Sequence, residues 1–147
     1  MKQISLIILL ALAYFTGAYA GPYTDLLKKA GDKKNYPGSN VVVVFDSTTV
    51  KMMETGLSHS YIHRLYKVLT PEGAKSLSVI KFDYDPLSAW SEIRGVTVYH
   101  ADGTQTAIDT GKVLDYPQPA RAIYWGAREK MIEIGRLEPG DAVEVFL

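Results

Sequence analysis

From Asn40 onward the apolar positions recur at a spacing of two, in short runs separated by turn-forming residues, which is the pattern of β-strands. Ile80, Phe82 and Tyr84 alternate with Lys81 and Asp83, predicting a strand over Val79–Tyr84 with one buried face. Thr48, Val50 and Met52 alternate with Thr49, Lys51 and Met53; Glu54-Thr55-Gly56 then turns the chain into a long extended segment, Ser58–Leu69. Glu92–Tyr99 and Gln105–Ile108 flank Asp102-Gly103, a strong local hairpin signal. Lys130, Ile132 and Ile134 alternate with Glu129, Met131 and Glu133, and Leu137-Glu138-Pro139-Gly140-Asp141 leads into Ala142–Leu147, so a second hairpin is expected there. Val41–Phe45 carries no polar residue and fits a strand covered on both faces.

Helical spacing is confined to the start. Pro22–Lys34 reads as a short polar helix with Thr24 as N-cap, Leu26, Leu27 and Ala30 on one side, and Gly31 in the left-handed position at its end. The turn-rich Asn35–Asn40 separates it from the body, and Thr70-Pro71-Glu72-Gly73 reads as a break between strands. No segment after Asn40 has a helical stripe, so the crossover helices of a parallel α/β fold are missing. The expected class is all-β, an antiparallel sandwich or partial barrel preceded by a signal peptide and a short helix.

Met1–Ala20 has the layout of a secretory signal peptide: Lys2, an apolar run from Ile4 to Phe15 broken only by Ser5, and Ala18-Tyr19-Ala20 for the peptidase. That run is shorter than the roughly 20 residues of a membrane span, so cleavage after Ala20 and export are expected, without a retained anchor. The organisation is then a signal peptide over 1–20, a helical leader and linker over 21–39 and a β module over 40–147. Val143–Leu147 is apolar apart from Glu144 and stops within an apparent strand. The module is therefore expected to be cut short and marginally stable. With 0 Cys, neither disulfides nor thiol chemistry can occur in this segment. The 16 basic and 16 acidic residues of the whole chain are interspersed, which excludes a basic stripe for nucleic acid.

Candidate chemistry is sparse. His59 and His63 are four apart, but on a strand that spacing holds them too far apart for one metal ion, so no metal or cofactor is expected. Asp83 and Asp85 share a strand face at a glycosidase-like interval; solvent exposure is the commoner fate of such a pair, and Asp85 fits a turn before Pro86. Ser58, Ser60 and His63 lack the nucleophile elbow of a hydrolase. The richest stretch is Asp115–Lys130, where Tyr116, Tyr124 and Trp125 accompany Arg121 and Arg128, residue types favoured at recognition surfaces. Core plugging by Ile123 and Trp125 competes with that reading, and Trp90 is assigned to the core. Extended geometry spreads the polar side chains over sheet faces and leaves no converging reactive cluster.

Tyr36-Pro37-Gly38, apolar Val41–Phe45 with Asp46, His63-Arg64, Lys67-Val68-Leu69, Glu72-Gly73, Tyr84-Asp85-Pro86, Asp102-Gly103-Thr104 and Leu137-Glu138-Pro139-Gly140-Asp141 follow one another in an order that resembles the family called domain of unknown function 3857. The resemblance runs from about Tyr36 to Leu147. It implies an extracytoplasmic β-sandwich, in secreted bacterial proteins of the Bacteroidetes type, that precedes a transglutaminase-like domain whose catalytic Cys, His and Asp lie downstream. On this basis the chain is a non-enzymatic docking or binding module, with the downstream domain, an envelope protein or a glycan as partner. The rival from another class is a stand-alone secreted hydrolase that acts on envelope glycans through Asp83 and Asp85.

Overall fold

The computed structural model describes residues 21–118 and 126–147. Residues 1–20, where a signal peptide is expected, and Arg121, Tyr124 and Trp125 of the aromatic stretch lie outside the described residues.

A short helix α1 (Thr24–Lys29) leads into β1 (Val41–Met52) and β2 (Ser58–Val68), followed by a second helix α2 (Pro71–Leu77) and by β3 (Val79–Tyr84). Then come β4 (Gly95–Tyr99), β5 (Gln105–Ala107), a 3-10 turn (Thr110–Lys112), β6 (Leu114–Pro117), β7 (Arg128–Glu133) and β8 (Ala142–Phe146). These strands form a five-stranded sheet in the order β1-β2-β8-β4-β5 and a three-stranded sheet in the order β3-β7-β6. Every pairing is antiparallel, as the alternating pattern and the all-β expectation required. Val68, Val96, Val98, Val143 and Val145 of the larger sheet pack on Ile80 and Ile132 of the smaller, and Ile93, Ile134 and Leu137 close the core.

Alternation fixes which side chains enter that core. In β8, Val143 and Val145 point inward, so Ala142, Glu144 and Phe146 lie on the outer face; in β2, Tyr66 and Val68 are inward and Leu65 and His63 outward. The leader covers part of the outer face, where Tyr23 and Leu27 pack with Leu65, Tyr99, Ala142 and Phe45. Lys67 Nζ ties the leader down by donating to the Leu27 and Gly31 carbonyls at 2.8 and 2.6 Å. Gly31 has the left-handed φ of 76° expected after a helix. Tyr23, not Thr24, occupies the N-cap position; the Thr24 hydroxyl donates back to the Gly21 carbonyl at 2.9 Å.

Four further expectations are corrected. Thr70 to Gly73 is the start of α2: the Thr70 hydroxyl accepts from the Gly73 amide at 3.1 Å and Pro71 enters the first turn. A helix of seven residues with only Ala74 and Leu77 as larger apolar groups is too short to display a stripe. Val41–Phe45 is not covered on both faces, because β1 is an edge strand and Val43 is exposed; a register shift between Val43 and Phe45 breaks its alternation. β7 and β8 form no hairpin: the Leu137–Asp141 turn carries the chain from the small sheet into the large one, where β8 pairs with both β2 and β4. Trp90 is 75% exposed, since the turn at Asp85, whose carboxylate accepts from the Leu87 amide at 2.9 Å, throws the following segment outside the strands.

Candidate functional site

Among the described residues, three places combine side chains that could react or bind. The most deeply set is Glu144, which alternation places on the outer face of the central strand β8 beneath the leader. Its Oε1 accepts from the Tyr23 hydroxyl at 2.7 Å and faces His63 Nε2 at 2.8 Å, while Oε2 accepts from the Tyr99 hydroxyl at 2.8 Å. The side chain is only 6% exposed. Burial pushes its carboxyl upward, but the hydrogen bonds from Tyr23, Tyr99 and His63 outweigh it and hold the group below the ordinary range. The phenols move the other way: burial, then the bond to Glu144, pushes Tyr23 up to about 12 and raises Tyr99 further. Phe146 stacks on the His63 ring at 3.9 Å and Phe45 meets it edge-on at 4.7 Å. A cluster therefore does converge, against expectation. It draws on the leader, β2, β4 and β8, whose partners to Glu144 stand 121, 81 and 45 residues away, so local patterning could not reveal it.

Glu144 is an ionised buried carboxylate with both oxygens engaged, an arrangement that fixes the leader and three strands together instead of presenting a reactive group. A neighbouring groove of about 400 Å³ lies on the same side of the sheet, lined by Ser47, Thr49, Tyr61, His63, Arg94 and Phe146 among others.

The second place is the β1–β2 hairpin. It stays paired out to Met52 and Ser58, whereas β8 accompanies β2 only from His63 to Lys67. The outer half is thus a two-stranded arm, and Val50, Met52, Met53, Leu57 and Tyr61 on it are between 43 and 67% exposed. Leu147 exchanges both backbone hydrogen bonds with Ile62 at the base of this arm.

The third is the far end of the small sheet. Asp115 accepts from the Tyr84 hydroxyl and from Arg128 Nε, both at 2.7 Å, and Lys130 Nζ stands 4.0 Å away. Of the expected recognition residues, Arg128 belongs to this network. Tyr116 does not: it pairs with Glu129, so it projects from the opposite face of the sheet, and the structure does not bring the two together.

The remaining candidates are dispersed. Asp83 is an exposed strand residue and Asp85 caps its turn through Leu87 and Ser88, so the two form no facing pair. His59 is exposed, and among the described residues no group of three or more His, Asp or Glu could hold a metal ion. His100 is half-buried, with Nδ1 3.4 Å from Asp141 and Nε2 3.2 Å from Thr106. Asp141 itself is buried and accepts from the Glu138 amide at 2.9 Å and the Ala101 amide at 3.0 Å. This pins the sheet-crossing turn to the β4–β5 hairpin.

Fold and sites together define a two-sheet antiparallel β module with a strapped leader and a projecting arm. Residues 54–146 match the sequence model of DUF3857, a "Domain of Unknown Function with solved-structure structure". The chain belongs to that family. No curated protein matches it. Among solved structures, that of a "putative protease" from Parabacteroides distasonis is similar, with a TM-score of 0.61 at 16% identity over 73% of this chain. The match spans 22% of that protein's chain, so the likeness is to one part of a longer molecule. Among the described residues no helix is long and apolar enough to cross a membrane.

Proposed function

We propose that this chain is an exported, non-catalytic docking module, released by cleavage after Ala20, that precedes a transglutaminase-like domain and holds it through the β1–β2 arm. The observation that carries this is the arm itself. An isolated two-stranded ribbon is marginal in water, and one that exposes five large apolar side chains gains a reason to persist when another surface covers it. The position of Leu147 supports the choice of partner: hydrogen-bonded to Ile62, it would deliver a following domain directly beside the arm. The solved relative, in which the matched part is about a fifth of the chain, supports a modular setting. The state of Glu144 favours binding over catalysis, since its carboxylate is committed to three neighbours.

The test is calorimetric. In the intact exported protein, replacing Val50, Met52 and Leu57 by Ser should uncouple the module from its neighbour, turning one cooperative transition into two. The module's own stability should change by less than about 1 kcal/mol, because the three side chains are exposed within it. A single transition that survives the triple substitution would defeat the proposal.

A further inference from the structure

The inner face of the small sheet changes character along its length. Ile80 and Ile132 pair in the core; the next pair on that face is Phe82 with Lys130, and the next Tyr84 with Arg128, with Asp115 of β6 opposite Lys130. A face that begins as core thus ends as a network of two cations, one carboxylate and a phenol. Each oxygen of Asp115 accepts one bond, from Tyr84 and from Arg128 in turn, and Arg128 also donates through Nη2 to the Asp115 carbonyl at 3.0 Å; lone pairs remain on both oxygens for a further donor. The Lys130 ammonium, at 4.0 Å from Asp115, is beyond hydrogen-bonding distance from it. It lies instead over two rings, 5.6 Å from the centre of Tyr84 and 5.5 Å from that of Trp90. The Lys130 side chain is only 15% exposed, while Trp90 is 75% exposed. One cation steadies the Trp90 indole in a position where most of its surface faces water. Within this hydrogen-bonded network Asp115 offsets one of the two cations, while Asp85, in the turn between Tyr84 and Trp90, has its carboxylate turned to the Leu87 amide and the Ser88 hydroxyl.

We infer that the end of the small sheet formed by Trp90, Tyr84, Lys130 and the Asp115–Arg128 pair is a binding site for an acidic sugar. A pyranose ring has an apolar face of C–H bonds that stacks on an open indole, and its hydroxyls match the mixed donors and acceptors of the Arg128–Asp115 pair. The surplus positive charge selects a sugar that carries a carboxylate. Nucleic acid is disfavoured by the same count, because one surplus cation releases few counterions. The site lies on the other sheet from the arm, so it stands or fails independently of the docking role.

Isothermal titration of the exported protein with the trimer of galacturonic acid, with maltotriose as the neutral comparison, tests this. The acidic trimer should bind saturably and at least about tenfold more tightly than maltotriose, the difference one charge-assisted contact supplies. Trp90→Ala should abolish binding, and Lys130→Met should remove the preference for the acidic sugar. Tyr116→Ala, on the opposite face, should change nothing. Thermal melting of each variant checks that the fold is kept; should Lys130→Met unfold, Lys130→Arg is expected to retain the preference. No saturable heat with the acidic trimer, equal affinity for both sugars, or undiminished binding by Trp90→Ala would each overturn the assignment.

Discussion

Removing the Glu144 carboxylate tests how the module is held together. In Glu144→Ala the Tyr99 hydroxyl, buried beside it, loses its acceptor, and His63 and Tyr23 lose theirs at the edge of the same site. A hydrogen bond to a charged group contributes about 1.5–3 kcal/mol, and a buried donor left without a partner costs about 1–3 kcal/mol. Tyr23 and His63 can turn to water, so the three losses do not add in full. The expected total is about 3–5 kcal/mol, a large part of the 5–15 kcal/mol typical of a domain. Urea unfolding followed by far-UV circular dichroism measures it. Tyr23→Phe should cost only about 1 kcal/mol, since it removes one half-exposed donor and leaves Glu144 two others. The double variant should be about as unstable as Glu144→Ala alone, because the Tyr23 hydroxyl has nothing left to bond. A loss below about 1 kcal/mol for Glu144→Ala would refute the view that this carboxylate binds the leader and strands into one unit.

Further consequences concern pH and the turns. Glu144 sits below its ordinary value of 4.5, so its contribution is present above that pH and disappears as the pH falls through the lower folded value; Glu144→Gln should flatten this acid limb in a pH series of melts. Tyr23 is raised from 10.0 to about 12, so the stability linked to its protonated phenol is complete below pH 10 and is lost as the pH rises through about 12. Absorbance at about 295 nm should show phenolate forming late in the folded protein and earlier in Glu144→Ala. At Gly73, within α2, a Cβ would run into the carbonyl oxygen of Asn40, just before β1, so Gly73→Ala should destabilise by about 2 kcal/mol or more in the same urea assay, despite alanine's better helix propensity. Asp141→Ala, which strands the Glu138 and Ala101 amides, should cost about 2–3 kcal/mol, while Asp141→Asn keeps one acceptor and should cost less.

What the sequence made legible was local. Val79–Tyr84 is a strand with the boundaries its alternation gives, and Asp102-Gly103 turns β4 into β5, because period two and turn chemistry act over a few residues. Gly31, with its positive φ, ends the leader helix as read. Connections over longer distances were not legible. The Leu137–Asp141 turn looks the same whether the next strand pairs with β7 or crosses to the other sheet, and Asp141's bond to the Ala101 amide, which favours the crossing, joins residues 40 apart. Trp90 misled for a related reason. An isolated Trp is ordinarily best explained as core, and its local pattern does not reveal that the Asp85 turn carries its segment outside the strands, where the Lys130 ammonium lies 5.5 Å from its ring. The Glu144 cluster was hidden most completely, since Glu144 is the single polar residue of an otherwise apolar final strand and none of its partners lies near it in sequence. Ser58, Ser60 and His63, like Asp83 and Asp85, are neighbours in sequence, whereas the groups that meet at Glu144 come from four elements.

The docking role rests on what lies against the arm in the intact protein. A photoreactive amino acid placed at Met52 of the full-length protein reports this directly after irradiation and peptide mapping. The account predicts a crosslink within the same chain, to a segment C-terminal to Leu147. Crosslinks solely to a second copy, or to solvent with no adduct at all, would contradict it.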